Sequence, residues 1–381
     1  MFSWVKSTAQ ASISAALGTA EPIYGPSAIQ SVALQESENP TYEITRDDLR
    51  WHGLDTTSAE TQTFYLEAES GHMGLVQIIY SNVANLHVTA QVSTKIFHPD
   101  GRITWSSKPL ISTDYFDDTK HSFYADNIAC ILSEDGKSYT IKSAVDPTIF
   151  IDLVVTQTTP GFKIGKDGRT NFGTDPENPW GAIRHVFWPR NTLEGFIKVG
   201  DEKINFKGKA MHVMALQGMK PHHAAAKWNF VNFQGPTYSA IMMEFITPAS
   251  YGTTTVNITG LSKDGELVAA GTKGECEHVA SQLDDVELPE PTAVKFVWNA
   301  TTKDGKAVEA VLEEELGEKI DRVDIMAEVP AIIKKIAGNV AGTKPYMYQY
   351  HKKTTMKIKI GDEVIEEEGK LFYEATFISE L

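Results

Sequence analysis

Two neighbouring stretches hold the residues best suited to chemistry. Trp180 to Arg190 reads W-G-A-I-R-H-V-F-W-P-R, and Ala210 to Gln234 reads A-M-H-V-M-A-L-Q-G-M-K-P-H-H-A-A-A-K-W-N-F-V-N-F-Q. Side chains of a strand alternate between faces. On that pattern Ile183, His185 and Phe187 share one face, and Arg184, Val186, Trp188 and Arg190 share the other. Indole rings give apolar walls, and Arg and His give the few polar anchors that orient a ligand. The same residues suit a packed interface between domains, and their spacing does not choose between pocket and interface.

Three histidines, His212, His222 and His223, raise the question of a metal. Ligands must return to one point, and adjacent His222 and His223 point apart in any strand. H-E-x-x-H, a nucleophile elbow, a Walker loop and a dinucleotide fingerprint are all missing from the sequence. No catalytic residue, metal site or cofactor is expected. Trp228, Phe230 and Phe233 follow three small alanines, a pattern that lets another element approach closely and fills the seam with rings. We expect a strand end at His212 to Leu216, a turn at Gly218 to Pro221, and all three rings in the joint between two halves.

The elements that must position these residues are mostly strands. Thr63 to Glu69, Leu75 to Tyr80, Leu86 to Phe97, Ser138 to Ser143 and Ile149 to Thr156 are rich in β-formers. Ser239 to Ile246, Thr253 to Ile258, Glu266 to Ala270, Ala293 to Thr301, Ala307 to Glu315, Thr354 to Ile360 and Gly369 to Ile378 repeat the style. Asp100-Gly101, Asp135-Gly136, Asp167-Gly168, Asp264-Gly265 and Asp304-Gly305 are hairpin signals between them. One helix is expected after Pro330. The pattern predicts a mostly β protein of antiparallel barrels or sandwiches.

A chain of 381 residues suits two domains. We divide it into residues 46–217 and 218–381, preceded by a terminal helix over 1–18 and a linker over 19–45. The net charge of −15 argues against a nucleic-acid partner. Cys130 and Cys276 stand far apart and form no metal or redox spacing. Met1 to Leu17 is amphipathic as a helix, with Phe2, Val5 and Ile13 on the apolar side, Met1 and Leu17 flanking it, and Trp4 off its centre. Few charges lie there, so it suits weak, mainly apolar contact with a bilayer, or docking on its own protein.

The stretches at Trp180 to Arg190 and Ala210 to Gln234 resemble the fungal survival-factor family. T-F-Y-L-E-A-E-S-G-H-M-G-L-V-Q at Thr63 to Gln77, the Ser250-Tyr251-Gly252 turn, the Tyr350 to Phe377 tail and the Met-Phe-Ser-Trp start share its look. The resemblance implies two lipocalin-like antiparallel β-barrel domains side by side. It implies a monomer that is not an enzyme, binding ceramide and carrying it from the endoplasmic reticulum to the Golgi. It further implies survival under oxidative stress, an acetylated Met1, and a cytoplasmic protein peripheral to those membranes, with the nucleus as a further location. On that reading Trp180, Arg184, His185, Trp188, Arg190, His212 and Trp228 are candidate lipid-binding residues, and Met1, Phe2, Trp4, Val5, Ile13 and Leu17 meet the membrane. More distantly the fold is similar to that of hydratases and cyclases acting on apolar substrates. The alternatives are therefore an isomerase- or hydratase-like enzyme, or a stress-linked scaffold without a lipid cavity.

Overall fold

The computed structural model describes residues 22–83, 87–328 and 345–379. The terminal helix proposed for residues 1–18 and the helix after Pro330 lie outside them. The described residues form two antiparallel sheets, as the alternating β-rich segments predict. The first has 13 strands. Its main path runs Ile103–Leu110, His87–Phe97, Met73–Val83, Ser58–Ala68, Gly208–Gln217, Gly181–Val199, Ile149–Gln157, Ser138–Asp146, Ile128–Leu132 and Phe123–Ala125. The second has 10 strands. Its path runs Glu266–Gly271, Thr255–Lys263, Tyr238–Ile246, Lys227–Gln234, Glu363–Phe377, Tyr346–Ile360, Ala307–Glu315, Pro289–Thr301 and Lys273–Leu283.

Asp-Gly pairs at 100–101, 135–136, 264–265 and 304–305 join strands that pair with each other. Asp167-Gly168 differs. The strand after it, Arg169–Phe172, pairs with Ile29–Gln30 and with Gly181–Val199 rather than with the strand before it. Ile29–Gln30 belongs to the stretch read as a linker, which here is an ordered strap. The amides of Tyr24 and Gly25 donate to the Ser250 carbonyl at 2.8 and 2.9 Å, so the strap touches both sheets.

Alternation within the strands builds three cores. Phe64, Leu66, Val76, Ile78, Val186 and Trp188 point into the curl of the first sheet. Their neighbours Tyr65, Met73, Leu75, Ile183 and Phe187 point outward, yet they are buried against Phe230, Ile241, Phe245 and Phe372 of the second sheet. Val231, Phe233, Met242, Leu371 and Tyr373 fill the curl of the second sheet. The central strands of each sheet are therefore apolar on both faces, which is why they read as near-continuous hydrophobic runs. Trp228 and Phe230 lie in the seam as expected. Phe233 does not: it is an odd number of residues away and turns into the second interior.

Candidate functional site

Strand register builds the first candidate site. Gly208–Gln217 lies between Gly181–Val199 and Ser58–Ala68, which places His212 opposite Trp188 on one side and Phe64 on the other. All three face the first interior. The imidazole stacks on Phe64 at 4.6 Å, meets Trp188 edge-on at 5.4 Å, and lies 4.8 Å from Tyr139 between ring centres. His212 is fully buried, and neither ring nitrogen has a hydrogen-bond partner. Burial pushes its pKa down to about 3. It is thus a neutral ring offering one donor and one acceptor inside an aromatic cage.

Close by, Gln62 donates to the Tyr139 hydroxyl at 3.4 Å and accepts from the Cys130 thiol at 3.5 Å. The indole N–H of Trp51, in the same core, is also buried without a partner. Each unpaired buried polar group costs about 1–3 kcal/mol, which a ligand carrying amide or hydroxyl groups would recover.

The other sequence candidates are placed elsewhere. His185 and Trp228 meet in the seam, 6.1 Å apart. Burial, and then the charge of Arg184, pushes the His185 pKa down to about 3. Arg184 turns to the buried Asp48, donating to its carbonyl at 2.9 Å and its carboxylate at 3.3 Å. Lys163 reaches the same carboxylate at 2.6 Å. This cluster pins the turn Arg46–Leu49. Trp180 is 44% exposed and donates to the Tyr251 hydroxyl at 3.0 Å, beside Tyr24 of the strap. His222 and His223 lie 4.3 Å apart in the short helix Pro221–Ala224.

Arg190 departs from the alternation pattern. The register slips by one residue between Trp188 and Asn191, at Pro189, which has no N–H to give the ladder. The bulge turns Arg190 away from the face of Arg184 and Trp188 and into the seam. There it pairs with Asp264 and donates to the Gly235 carbonyl and the Ser239 hydroxyl, each at 2.9 Å. It is an inter-sheet clamp.

A second polar group in the interior of the second sheet escaped the sequence reading. Asn257, Glu244 and Asn229 form one cross-strand row. Both asparagines donate to Glu244 at 3.1 Å, and the Cys276 amide donates at 3.2 Å. Burial outweighs these bonds and raises the Glu244 pKa. His278 Nε2 and the Tyr373 hydroxyl reach Asn229 Oδ1 at 3.0 and 2.8 Å. Burial, and then the charge of Lys227, pushes the His278 pKa down to about 3. The only signal in the sequence is an acid at an inward position of an apolar strand, A-I-M-M-E-F-I. Its partners come from strands that only the sheet brings together.

A cleft of about 590 Å³ opens between the strap and the second sheet, lined by Glu36, Tyr42, Thr272, Asn299, Val308 and Lys359 among others. Glu36 accepts from the Tyr42 hydroxyl at 2.8 Å and from Thr272 at 3.1 Å. Its charged, polar walls do not suit acyl chains.

The solved structures with this architecture include CghA (TM-score 0.60, 10% identity, covering 85% of this chain and 89% of that one). Kievitone hydratase from Nectria haematococca also matches (TM-score 0.54, 12% identity, 94% and 98%). So does a putative AttH from Nitrosomonas europaea (TM-score 0.57, 12% identity, 88% and 98%). At such identities the likeness concerns the fold alone. Among curated sequences, the ceramide-binding protein svf-1 of Neurospora crassa is 53% identical over 385 residues, covering 100% of both chains. Ceramide-binding protein svf1 of Emericella nidulans is 52% identical over 383 residues, covering 99% of this chain and 100% of that one. That of Schizosaccharomyces pombe is 41% identical over 388 residues, covering 98% and 100%. The model of the Svf1 family matches residues 2–379, so this chain belongs to the Svf1 family.

Proposed function

We propose that this chain binds ceramide within the curl of the first sheet, where His212 reads the amide and hydroxyl groups. The observation that carries this reading is the fully buried imidazole with two unpartnered nitrogens, caged by Phe64, Tyr139 and Trp188. The names of the relatives supply the ligand; the cage supplies a place chemically suited to its polar end. Leu66, Val76, Ile78, Leu153 and Ile197 continue the apolar wall for the chains. Buried side chains from across the sheet meet in this interior, so a lipid enters by parting them. Ile103–Leu110 and Ser138–Asp146 offer the opening. They are joined by side chains, Ser106 at 2.7 Å and Lys108 at 3.4 Å from Asp146, rather than by a strand ladder.

Carriage from the endoplasmic reticulum to the Golgi, with residues 1–18 as the membrane contact, extends the same proposal. It rests on the family resemblance and on the amphipathic pattern of that segment.

The test is binding of a fluorescent ceramide by the full chain and by His212→Leu, with mass spectrometry of lipid extracted from the purified protein. Ceramide should be recovered from the wild type. His212→Leu should bind about tenfold more weakly, the worth of one buried hydrogen bond. Wild-type affinity in that variant would place the ligand elsewhere, and a wild type that binds no ceramide would refute the reading. The Glu244, His278 and Tyr373 group favours turnover as the second reading. A lipid product that disappears in Glu244→Gln would establish it.

A further inference from the structure

Three hairpin ends of the first sheet meet at one place. His72 ends the turn before Met73–Val83, and its carbonyl accepts from the Ala68 amide at 2.9 Å. His98 directly follows His87–Phe97, with its amide bonded to the Arg102 carbonyl at 2.9 Å. Glu202 opens Glu202–Asn205, opposite Val199. Each residue offers one ligand atom, and these three atoms lie within 4.8 Å of one another.

The hydrogen bonds around the two rings decide which nitrogens are available. His98 Nε2 lies 2.9 Å from the Thr104 hydroxyl, and His72 Nδ1 lies 3.0 Å from the Ser70 hydroxyl. A hydroxyl can accept the ring N–H, and in that tautomer the opposite nitrogen carries the lone pair. This is how outer-shell groups orient metal-bound imidazoles. His98 is only 5% exposed, and its Nδ1 has no partner at all. That orphaned acceptor, beside a second imidazole and a carboxylate, is a feature that hairpin packing alone does not call for.

We propose that His72, His98 and Glu202 bind a divalent metal ion of the zinc class. Two imidazoles and one carboxylate are a borderline ligand set that suits Zn²⁺ and leaves a fourth position for water. Tetrahedral ligands about 2.1 Å from Zn²⁺ stand roughly 3.4 Å from one another. The exposed Glu202 side chain supplies the inward movement. Its present ion pair, with Arg102 at 3.8 Å, is solvent-facing and holds it weakly. The ion would staple three hairpin ends that otherwise depend on short turns, and the proposal stands apart from the ceramide reading.

The experiment uses the metal-stripped full chain. Co²⁺ titration should give the visible absorption of a low-coordinate site, saturating at one equivalent and bleached by Zn²⁺. Zn²⁺ should raise the melting temperature, since it binds only the folded arrangement. Glu202→Gln changes an exposed side chain and leaves the core intact. It and His72→Ala should each weaken Zn²⁺ binding at least about tenfold. The double variant His222→Ala/His223→Ala should bind as the wild type does. The proposal is overturned if the wild type shows no saturable binding. It is equally overturned if the His222/His223 variant loses binding while Glu202→Gln and His72→Ala keep it.

Discussion

Burial holds the imidazoles of His212 and His185 near pKa 3, whereas the unfolded chain protonates them near 6.5. The unfolded state therefore takes up protons first as the pH falls. The contribution of these rings to stability is complete above about pH 6.5 and is lost progressively towards pH 3. At pH 5 the loss is on the order of 2 kcal/mol for each ring. Urea unfolding at pH 7 and pH 5 should show it, and equal stabilities at the two values would contradict it. His212→Leu should flatten part of this dependence. It should also stabilise the ligand-free protein at pH 7 by about 1–3 kcal/mol, because it removes a buried group without partners. Stability and ceramide affinity should thus move in opposite directions. Residue chemistry picked out His212 in the sequence, but its solitude was not legible there. Its neighbours Phe64 and Tyr139 come from strands more than seventy residues away in the chain.

At the scale of elements, the strand Gly181–Val199 shows where periodic reasoning holds and where it stops. Alternation correctly separates Ile183 and Phe187, in the seam, from Val186 and Trp188, in the interior. It fails at Arg190 because a bulge at Pro189 inserts one residue. Arg190→Ala should cost about 2–3 kcal/mol, since Ser239 loses the donor to its hydroxyl oxygen, the Gly235 carbonyl keeps only Lys209, and Asp264 loses its ion-pair partner. A loss below about 1 kcal/mol in urea unfolding would argue against the clamp. Gly260 makes a second sharp case. A Cβ there would sit 2.5 Å from the Phe162 ring, which stacks on Phe187 at 5.0 Å. Gly260→Ala should therefore destabilise by about 1–3 kcal/mol through overpacking, measured as a lower melting temperature. An unchanged melting temperature would mean that the ring moves aside freely.

For the whole molecule, the seam has a buried apolar core of its own, and several polar side chains pair across it. The Tyr65 hydroxyl donates to Glu374 at 3.0 Å, and Lys95 reaches Gln349 at 2.7 Å and Asp321. Glu67 accepts from His351 at 2.8 Å and Lys370 at 2.9 Å. Burial alone would raise the Glu67 pKa, but the hydrogen bond and charge of His351, with Lys370, outweigh it and hold the carboxyl below its ordinary range. Each half exposes a broad apolar face if its partner is removed. The two sheets should accordingly unfold in one cooperative transition, with equal calorimetric and van't Hoff enthalpies. Two separated heat-capacity peaks would refute this coupling.

By itself the sequence determined the strand-rich class, most hairpin positions and the family. These depend on local turn chemistry, on a two-residue period and on the order of residues along the chain, all of which are written in it. Tertiary structure alone decided which apolar face is seam and which is interior, because both are equally hydrophobic and only pairing separates them. It also isolated His212, turned Arg190 into the seam, set Glu244 among Asn229 and Asn257, and brought His72, His98 and Glu202 together. Each of these depends on register between strands distant in the chain, and a shift of one residue would reverse every face.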